Sequence, residues 1–92
     1  MFDFKDKVIV ITGAAGNLGR AAAFAFHDAG AKLAAVDRQR EDIKAVFGDD
    51  IPEGKYCFPV AADLLQEDSI AQMANAILER FGRIDVLVNI AG

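Results

Sequence analysis

Short apolar runs alternate along the chain with longer segments in which apolar residues recur every three or four positions. Short runs rich in Val and Ile are typical of β-strands, and the longer period is typical of amphipathic helices. The predicted strands comprise residues 7–11, 32–36, 55–60 and 84–90. The predicted helices comprise residues 17–29, 40–47 and 67–81. Because the first strand is apolar on both faces, as a buried parallel strand is, the pattern predicts an α/β fold.

Strands and helices that alternate at these lengths form right-handed crossovers and a parallel sheet. We expect the strand order 3-2-1-4 with flanking helices, as in the first half of a doubly wound sheet that stops after its fourth strand. No internal boundary is visible, so residues 1–92 are expected to form a single, partial domain. One face of the first helix is predicted to hold Leu18, Ala22, Ala25, Phe26 and Ala29.

Composition and charge exclude several classes of protein. The 92 residues are 53% hydrophobic with a net charge of −4, and no basic stripe suggests binding to nucleic acid or to an anionic membrane surface. No apolar run approaches the ~20 residues that span a bilayer, and the acidic N-terminus does not resemble a signal peptide. The single cysteine, Cys57, cannot form an internal disulfide, which favours a reducing cytoplasmic location and a buried apolar role.

A glycine-punctuated turn between the first strand and the first helix is the strongest candidate site. Gly13, Gly16 and Gly19 lie three residues apart, where the chain bends and a ligand approaches closely. The helix that starts near Asn17 directs its free amide groups and the positive end of its dipole into this turn, which favours a pyrophosphate. No Gly-Lys-Ser/Thr follows, so the turn is not a phosphate loop of the nucleotidase type.

Polar residues follow the predicted strands at the edge of the sheet where parallel α/β folds bind ligands. Asp37 is placed to accept hydrogen bonds from an adenosine ribose and to repel a 2′-phosphate, which favours NAD over NADP. Arg38 could stack on adenine or neutralise a phosphate, so use of both cofactors stays open. Asp63 either contacts the adenine amino group or is a solvated turn residue. Asn89 ties neighbouring strands together, lines the ribose site, or does both.

Taken together, these motifs resemble the N-terminal segment of a short-chain dehydrogenase/reductase over essentially the whole chain. The resemblance rests on Thr12–Gly19 (TGAAGNLG), Asp37-Arg38, Asp63-Leu64 and Phe81–Gly92 (FGRIDVLVNIAG). It implies a Rossmann-type fold, a nicotinamide cofactor and an oxidoreductase that transfers hydride between an alcohol and a carbonyl. It also implies that Asp37 holds the ribose and that Asp63 and Leu64 contact adenine. The residues it assigns to the pyrophosphate site are Gly13, Gly16, Leu18 and Gly19, and those it places along the rest of the cofactor are Asn89, Ala91 and Gly92.

Two positions depart from the family pattern. Asn17 stands where the commonest pattern has its middle glycine, and Gly16 precedes it, a spacing that resembles the extended subgroup. The closing segment resembles the shorter-chained subgroup instead, except that Ile90 replaces a second asparagine. We favour the shorter-chained subgroup with slightly altered cofactor geometry. We count Asn17 among the cofactor-binding residues and expect it to tolerate the positive φ of such a turn.

The acid/base groups of the family, a Ser and a Tyr-x-x-x-Lys pair, have no match in this sequence. The one tyrosine, Tyr56, has Val60 four residues on and is expected to pack within the third strand, with Lys55 pointing to the opposite face. The one serine, Ser69, is expected to cap the third helix or to face solvent. His27 has no partner at metal-ligand spacing, so no metal site is expected. We predict that these 92 residues alone are catalytically inactive.

Functions of two classes stay open. The chain is either the NAD-binding part of an oxidoreductase whose remainder lies outside this sequence, or a stand-alone nucleotide-binding or interaction module or a non-functional relic. A methyltransferase-like fold also has a glycine turn and an acid after its second strand, but the Thr12-Gly13 start and the Asn89–Gly92 ending count against it. Because the fourth strand leaves a long apolar edge, we expect the isolated chain to be marginally stable, to self-associate through that edge and to bind dinucleotide weakly.

Overall fold

A computed structural model describes residues 3–90, which form a four-stranded parallel sheet. The elements in chain order are β1 (Val8–Thr12), α1 (Asn17–Asp28), β2 (Lys32–Asp37), α2 (Arg40–Phe47), β3 (Cys57–Ala61), α3 (Glu67–Phe81) and β4 (Val86–Asn89). The strand order β3-β2-β1-β4 confirms the predicted one. Every predicted element is present, and the ends differ from the predicted ones by up to two residues. No helix within residues 3–90 combines the length and the apolar character needed to cross a bilayer.

The sheet separates two apolar layers, because successive side chains of a strand point to opposite faces. Ile9 and Ile11 of β1 lie in the α1–α2 layer, together with Ala23, Ile43 and Phe47 of the two helices. The α3 layer on the other face consists of Val8, Val10, Ala34, Val36, Val60, Ala62 and Ile77. As a result β1 is buried along its whole length, as expected of a central parallel strand.

The face of α1 that meets the sheet agrees only in part with the predicted one, since Ala22 and Phe26 are half-buried against the core as predicted. The buried residues of α1 are Gly19 and Ala23, whereas Leu18 is 68% exposed and Ala25 faces solvent. The two fully buried residues of α1 are small, which lets the helix lie close to the sheet and to the glycine turn, and Phe24 packs beside them against the core. Apolar periodicity is therefore a weak guide to the buried face of an alanine-rich helix.

The outer edge of β3 is protected against further strand pairing from Cys57 to Pro59. The backbone N–H and C=O of Cys57 point away from β2, and both are hydrogen-bonded to Gly54, at 3.3 and 2.9 Å. Pro59 has no N–H, and its carbonyl accepts a hydrogen bond from Nε of Arg40 at 3.2 Å. The outward groups of β3 are therefore occupied from Cys57 to Pro59, which makes this edge a poor partner for another strand.

The turn before β3 corrects the prediction for Tyr56. Because Gly54 and Cys57 are bridged, the chain folds back between them, and Tyr56 precedes the strand rather than lying in it. Its side chain is 40% exposed, and Nζ of Lys55 lies 5.4 Å from the centroid of its ring. The two side chains therefore do not point to opposite faces, and Tyr56 is not a core residue.

Cys57 is fully buried in the α1–α2 layer, as predicted for a small apolar residue. Burial raises the pKa of its thiol to about 11, and the negative charge of Glu53 adds to the effect. The thiol is therefore protonated at neutral pH and is a poor nucleophile in the folded chain.

Asp85 joins β4 to β1 where the two strands begin. Its N–H donates to the carbonyl of Val8 at 2.9 Å, and its Oδ2 accepts a hydrogen bond from the N–H of Val8 at 2.8 Å. Its Oδ1 accepts hydrogen bonds from the guanidinium of Arg83 at 2.6 and 3.1 Å. The hydrogen bond from Val8, followed by those from Arg83, lowers the pKa of Asp85 below its ordinary value of 3.8.

We expect this carboxylate to make the fold sensitive to acid. A carboxyl group whose pKa is lower in the folded state stabilises the fold above its unfolded-state pKa, and this contribution is lost as the pH falls through the folded-state pKa. The free energy of unfolding, measured by urea titration, should therefore decline as the pH falls below about 5 and through the lowered pKa of Asp85, and less steeply in Asp85→Asn. The control is Asp50→Asn, since the exposed carboxylate of Asp50 makes no hydrogen bond within residues 3–90. An Asp85→Asn chain with the wild-type slope would contradict the assignment.

Candidate functional site

The glycine turn between β1 and α1 is packed so tightly that Gly19 admits no side chain. Gly13 has a φ of 69°, in the left-handed region that favours glycine. A Cβ at Gly19 would lie 2.0 Å from the carbonyl oxygen of Gly13 and 2.9 Å from Cα of Ala14. The first turn of α1 thus presses directly on the backbone of the glycine turn, and this contact sets the angle at which the helix leaves it.

Gly16 allows the close approach predicted for it, whereas Asn17 differs from its prediction. Gly16 has an ordinary φ of −80°, and a Cβ there would meet only the carbonyl oxygen of Gly13, at 3.4 Å. Asn17 is the first residue of α1, and Asp6 is the only non-glycine residue of 3–90 with a positive φ. The positive φ expected at Asn17 is therefore wrong, because the left-handed position of this turn is Gly13. Gly16 leaves open space that a ligand can occupy.

The first turn of α1 has amide groups without an acceptor in the described part of the chain. The first N–H of the helix with a hydrogen bond is that of Arg20, which donates to the carbonyl of Gly16 at 2.8 Å. The N–H groups of Asn17, Leu18 and Gly19 therefore have no acceptor within residues 3–90. No side chain caps α1 and no acidic residue lies in its first turn, whereas α2 and α3 each have two acids there. Unpaired amides at the positive end of a helix dipole are the groups that bind a phosphate or pyrophosphate.

The carboxylate of Asp37 supports the glycine turn from the end of β2. Its Oδ2 accepts a hydrogen bond from the N–H of Ala15 at 2.9 Å, and its Oδ1 accepts one from the N–H of Arg38 at 2.8 Å. The N–H of Ala14 donates to the carbonyl of Val36 at 3.0 Å, so the turn is joined to β2 twice. Each carboxylate oxygen keeps a second lone pair with which it can accept a hydrogen bond from a ligand.

The loop between β3 and α3 is organised by Asp63. Its N–H donates to Oγ of Ser69 at 2.8 Å, and its Oδ1 accepts a hydrogen bond from the N–H of Leu65 at 3.0 Å. The capping role predicted for Ser69 is wrong, since Gln66 is the N-cap of α3 and Ser69 supports the preceding loop instead. Asp63 is therefore a turn residue, as one of its two predicted roles requires, although it is half-buried rather than fully solvated.

On the other side of β1, Asn89 ties β4 to β1. The hydroxyl of Thr12 donates to Oδ1 of Asn89 at 2.8 Å and accepts a hydrogen bond from the N–H of Ile90 at 3.2 Å. This confirms the strand-joining role predicted for Asn89. The predicted cofactor residues Ala91 and Gly92 lie outside the described residues.

These elements surround a cleft of about 300 Å³ at the carboxyl ends of β1, β2 and β3, the edge at which parallel sheets bind ligands. Its lining consists of Gly13, Asp37, Arg38, Ala62, Asp63, Leu64 and Leu65, five of which are predicted cofactor residues. The remaining predicted residues within 3–90 lie outside this lining, in and before the first turn of α1 and at the end of β4. The glycine turn thus connects the cleft, which Gly13 lines, to the unpaired amides in the first turn of α1.

The predicted site residues do not include Thr12 or Leu65. A single hydroxyl at the end of an otherwise apolar strand is a signal for a contact with the next strand, because a buried hydroxyl requires a hydrogen-bond partner. Thr12 is the one buried polar residue within 3–90. For Leu65, the sequence signal is a leucine inside a polar loop. A loop side chain that makes no core contact is free to contact a ligand.

His27 lies away from this cleft, in a groove at the opposite ends of the strands that also contains Lys5, Gly30 and Tyr56. Within residues 3–90, no group of three or more His, Cys, Asp and Glu side chains is arranged to hold a metal ion.

Comparisons with known proteins agree with this geometry. Residues 7–92 match a family model described as short chain dehydrogenase. A CLA biosynthesis dehydrogenase/reductase from Lactiplantibacillus plantarum is 40% identical over 92 residues, which are all of this chain and 32% of that protein. The chain spans about a third of the length of the curated relatives it matches.

Two solved structures show the same fold with a dinucleotide bound. A short chain dehydrogenase/reductase from Burkholderia phymatum in complex with NAD is 32% identical with a TM-score of 0.82, over 95% of this chain and 31% of that one. A metagenomic short-chain oxidoreductase in complex with NADP is 36% identical with a TM-score of 0.87, over 97% of this chain and 40% of that one.

The glycine contacts predict losses of stability of different size for two alanine substitutions. Gly19→Ala should lower the free energy of unfolding by about 1–3 kcal/mol or more, because its Cβ would overlap the backbone of Gly13. Gly16→Ala is the matched control, since it adds the same methyl group in an allowed conformation with room for it, and should cost less than about 1 kcal/mol. Urea unfolding of the two variants measures the difference. Equal stabilities would show that the close approach of α1 to the turn is not a constraint on the fold.

Proposed function

This chain belongs to the short-chain dehydrogenase family, and on that premise we propose that it binds a nicotinamide dinucleotide as the cofactor-binding part of an oxidoreductase. The observation that carries the proposal is the junction of two features at the glycine turn. The unpaired amides of α1 offer a site for a pyrophosphate, and the carboxylate of Asp37 next to them offers an acceptor for ribose hydroxyls. Relatives of known structure that bind NAD and NADP support this assignment.

We assign the pyrophosphate to the amides of Asn17, Leu18 and Gly19, in the space that Gly16 leaves open. Gly13 contributes the bend that brings this first turn of α1 beside the cleft. The absence of acidic side chains from the first turn of α1 supports the assignment, since no protein carboxylate competes with the anion there.

We assign the adenosine half to the cleft. Asp37 accepts hydrogen bonds from the ribose hydroxyls through the lone pairs that the N–H groups of Ala15 and Arg38 leave unused. Asp63 and Leu64, on the facing loop, contact the adenine.

We assign the nicotinamide half to the end of β4. Asn89 lies there with its side-chain oxygen held by Thr12, and it borders the cofactor together with Ala91 and Gly92. The hydrogen bond from Thr12 fixes the side-chain amide, so its NH₂ group is directed without a further loss of conformational freedom.

A bound nicotinamide cofactor supplies hydride transfer between an alcohol and a carbonyl. The proton that accompanies the hydride needs an acid/base group, and the Ser and Tyr-x-x-x-Lys set of the family does not occur in these 92 residues. Ser69 is bonded to the Asp63 amide, and Tyr56 lies in the groove at the other ends of the strands. We therefore propose that residues 1–92 supply cofactor binding and not proton transfer. This holds whether the chain is part of a longer oxidoreductase or a stand-alone nucleotide-binding module. A cytoplasmic location stays a prediction.

The charge at the ribose position favours NAD over NADP. The carboxylate of Asp37 is half-buried and is held by two backbone N–H groups, so it is not free to turn away from an added 2′-phosphate. Repulsion between like charges therefore lowers the affinity for NADP. Arg38 is exposed beside this carboxylate and offsets part of the repulsion.

We expect the chain to bind NADH more tightly than NADPH, by about tenfold or more, in titrations followed by nicotinamide fluorescence. Asp37→Asn should reduce the difference between the affinities for NADH and NADPH. Arg38→Gln should weaken NADPH binding more than NADH binding. The control is Asp50→Asn, which removes the same charge at an exposed position outside the lining of the cleft. It should leave the ratio of NADH affinity to NADPH affinity unchanged. Tighter binding of NADPH by the wild-type chain would overturn the preference for NAD, and binding of neither nucleotide would overturn the proposed function.

The outer edge of β4 differs from that of β3, since no strand within residues 3–90 pairs with it. Val86 and Val88 are half-buried against the α1–α2 layer, whereas Leu87 is 61% exposed beside Val10 on the other face. An open edge with an exposed apolar side chain favours pairing with another chain. We propose that the 92-residue chain self-associates through β4.

Sedimentation velocity over a range of protein concentrations tests this proposal. The wild-type chain should show concentration-dependent association, and Leu87→Lys should shift it toward the monomer, because a charge on an edge strand opposes pairing. Leu78→Lys is the control, since Leu78 is 44% exposed on α3 and is not part of the β4 strand. A wild-type chain that stays monomeric at every concentration would refute self-association without affecting the proposal of dinucleotide binding.

A further inference from the structure

Leu65 has the most exposed large apolar side chain within residues 3–90, at 87%, and it lines the cleft beside Asp63 and Leu64. No core cluster includes it, so the fold gains little from a leucine at this position. The cost of leaving an apolar side chain in water is removed when a ligand covers it.

The backbone at Leu65 is fixed although the side chain is exposed. The N–H of Leu65 donates to Oδ1 of Asp63 at 3.0 Å, and the N–H of Asp63 donates to Oγ of Ser69 at 2.8 Å. The N–H of Gln66 donates to the carbonyl of Asp63 at 3.1 Å. These hydrogen bonds anchor the loop to the first turn of α3, so Leu65 is held at the cleft and a ligand would meet it without first having to order the loop.

The cleft has two chemically different sides. Asp37 and Arg38 provide charge at the end of β2, whereas Leu64 and Leu65 provide apolar surface on the loop after β3. A ligand that fits both has hydroxyl groups at one end and a flat apolar face at the other, which is the chemistry of a purine nucleoside.

Resting on the proposed function, we propose that Leu65 packs against the adenine ring and is a binding residue for the adenosine half of the dinucleotide. Its removal should weaken every ligand that contains adenosine. The stability of the chain should stay unchanged, because the side chain makes no contact within the core.

The test compares Leu65→Ala with the wild-type 92-residue chain, using NADH by fluorescence titration and adenosine 5′-monophosphate by competition with NADH. The variant should bind both nucleotides about three- to tenfold more weakly, since it loses the burial of most of one leucine side chain. Leu65→Met keeps the apolar volume and should restore binding. Leu78→Ala removes the same atoms from an exposed position on α3 and should bind like the wild type. Urea unfolding should give the same stability for Leu65→Ala and the wild type.

The outcomes separate this inference from the proposed function. If the wild-type chain binds NADH and Leu65→Ala binds both nucleotides as tightly, the role of Leu65 is refuted and the proposed function stands. A loss of NADH affinity without a loss for adenosine 5′-monophosphate also refutes it, because contact with the adenine ring must affect both. If the wild-type chain binds neither nucleotide, the proposed function fails and the role of Leu65 fails with it.

Discussion

The site depends on a contact that exists only because one residue has no side chain. At Gly19 the first turn of α1 lies against the carbonyl group of Gly13, at a distance that no Cβ permits. This contact sets the direction of α1, and the direction of α1 decides where its unpaired amides point. Gly13 provides the complementary bend with its positive φ. The geometry for binding an anion is therefore present in the backbone, before any side chain of the site is considered.

The polar side chains around the cleft act on the backbone as well as on the site. The carboxylate of Asp37 holds an amide of the glycine turn, that of Asp63 holds the loop after β3, and Asn89 is bonded to the hydroxyl of Thr12. Groups that are held in this way lose little conformational freedom when a ligand arrives, which is the usual basis of a preorganised site. The same arrangement explains why a substitution at one of these positions affects the shape of the site together with its chemistry.

The sequence predicts the order of elements and the topology because both follow from strong, local patterns. The Val/Ile run of β1 identifies a central strand, and Asp37 at the end of β2 identifies the edge of the sheet where a ligand binds. Neither inference requires knowledge of distant contacts. The predictions failed where the outcome depends on tertiary packing. The close approach at Gly19 makes Gly19 and Ala23 the fully buried residues of α1 and leaves Leu18 exposed, whereas Ala22 and Phe26 pack against the core as predicted. The turn between Gly54 and Cys57 displaced Tyr56 from β3, and the positive φ expected at Asn17 lies at Gly13 instead.

The two edges of the sheet are unequal, and this has a consequence for the symmetry of any assembly. At β3 the outward groups of Cys57 are occupied by Gly54, and Pro59 offers only a carbonyl that Arg40 already binds. The β4 side is therefore the more open edge for the addition of a strand. If two copies meet there, each uses the same edge, and the contact is isologous around a two-fold axis. Such a pair has no unpaired edge left for a third copy, so the protected β3 edge would end growth at a closed dimer and prevent an open fibre.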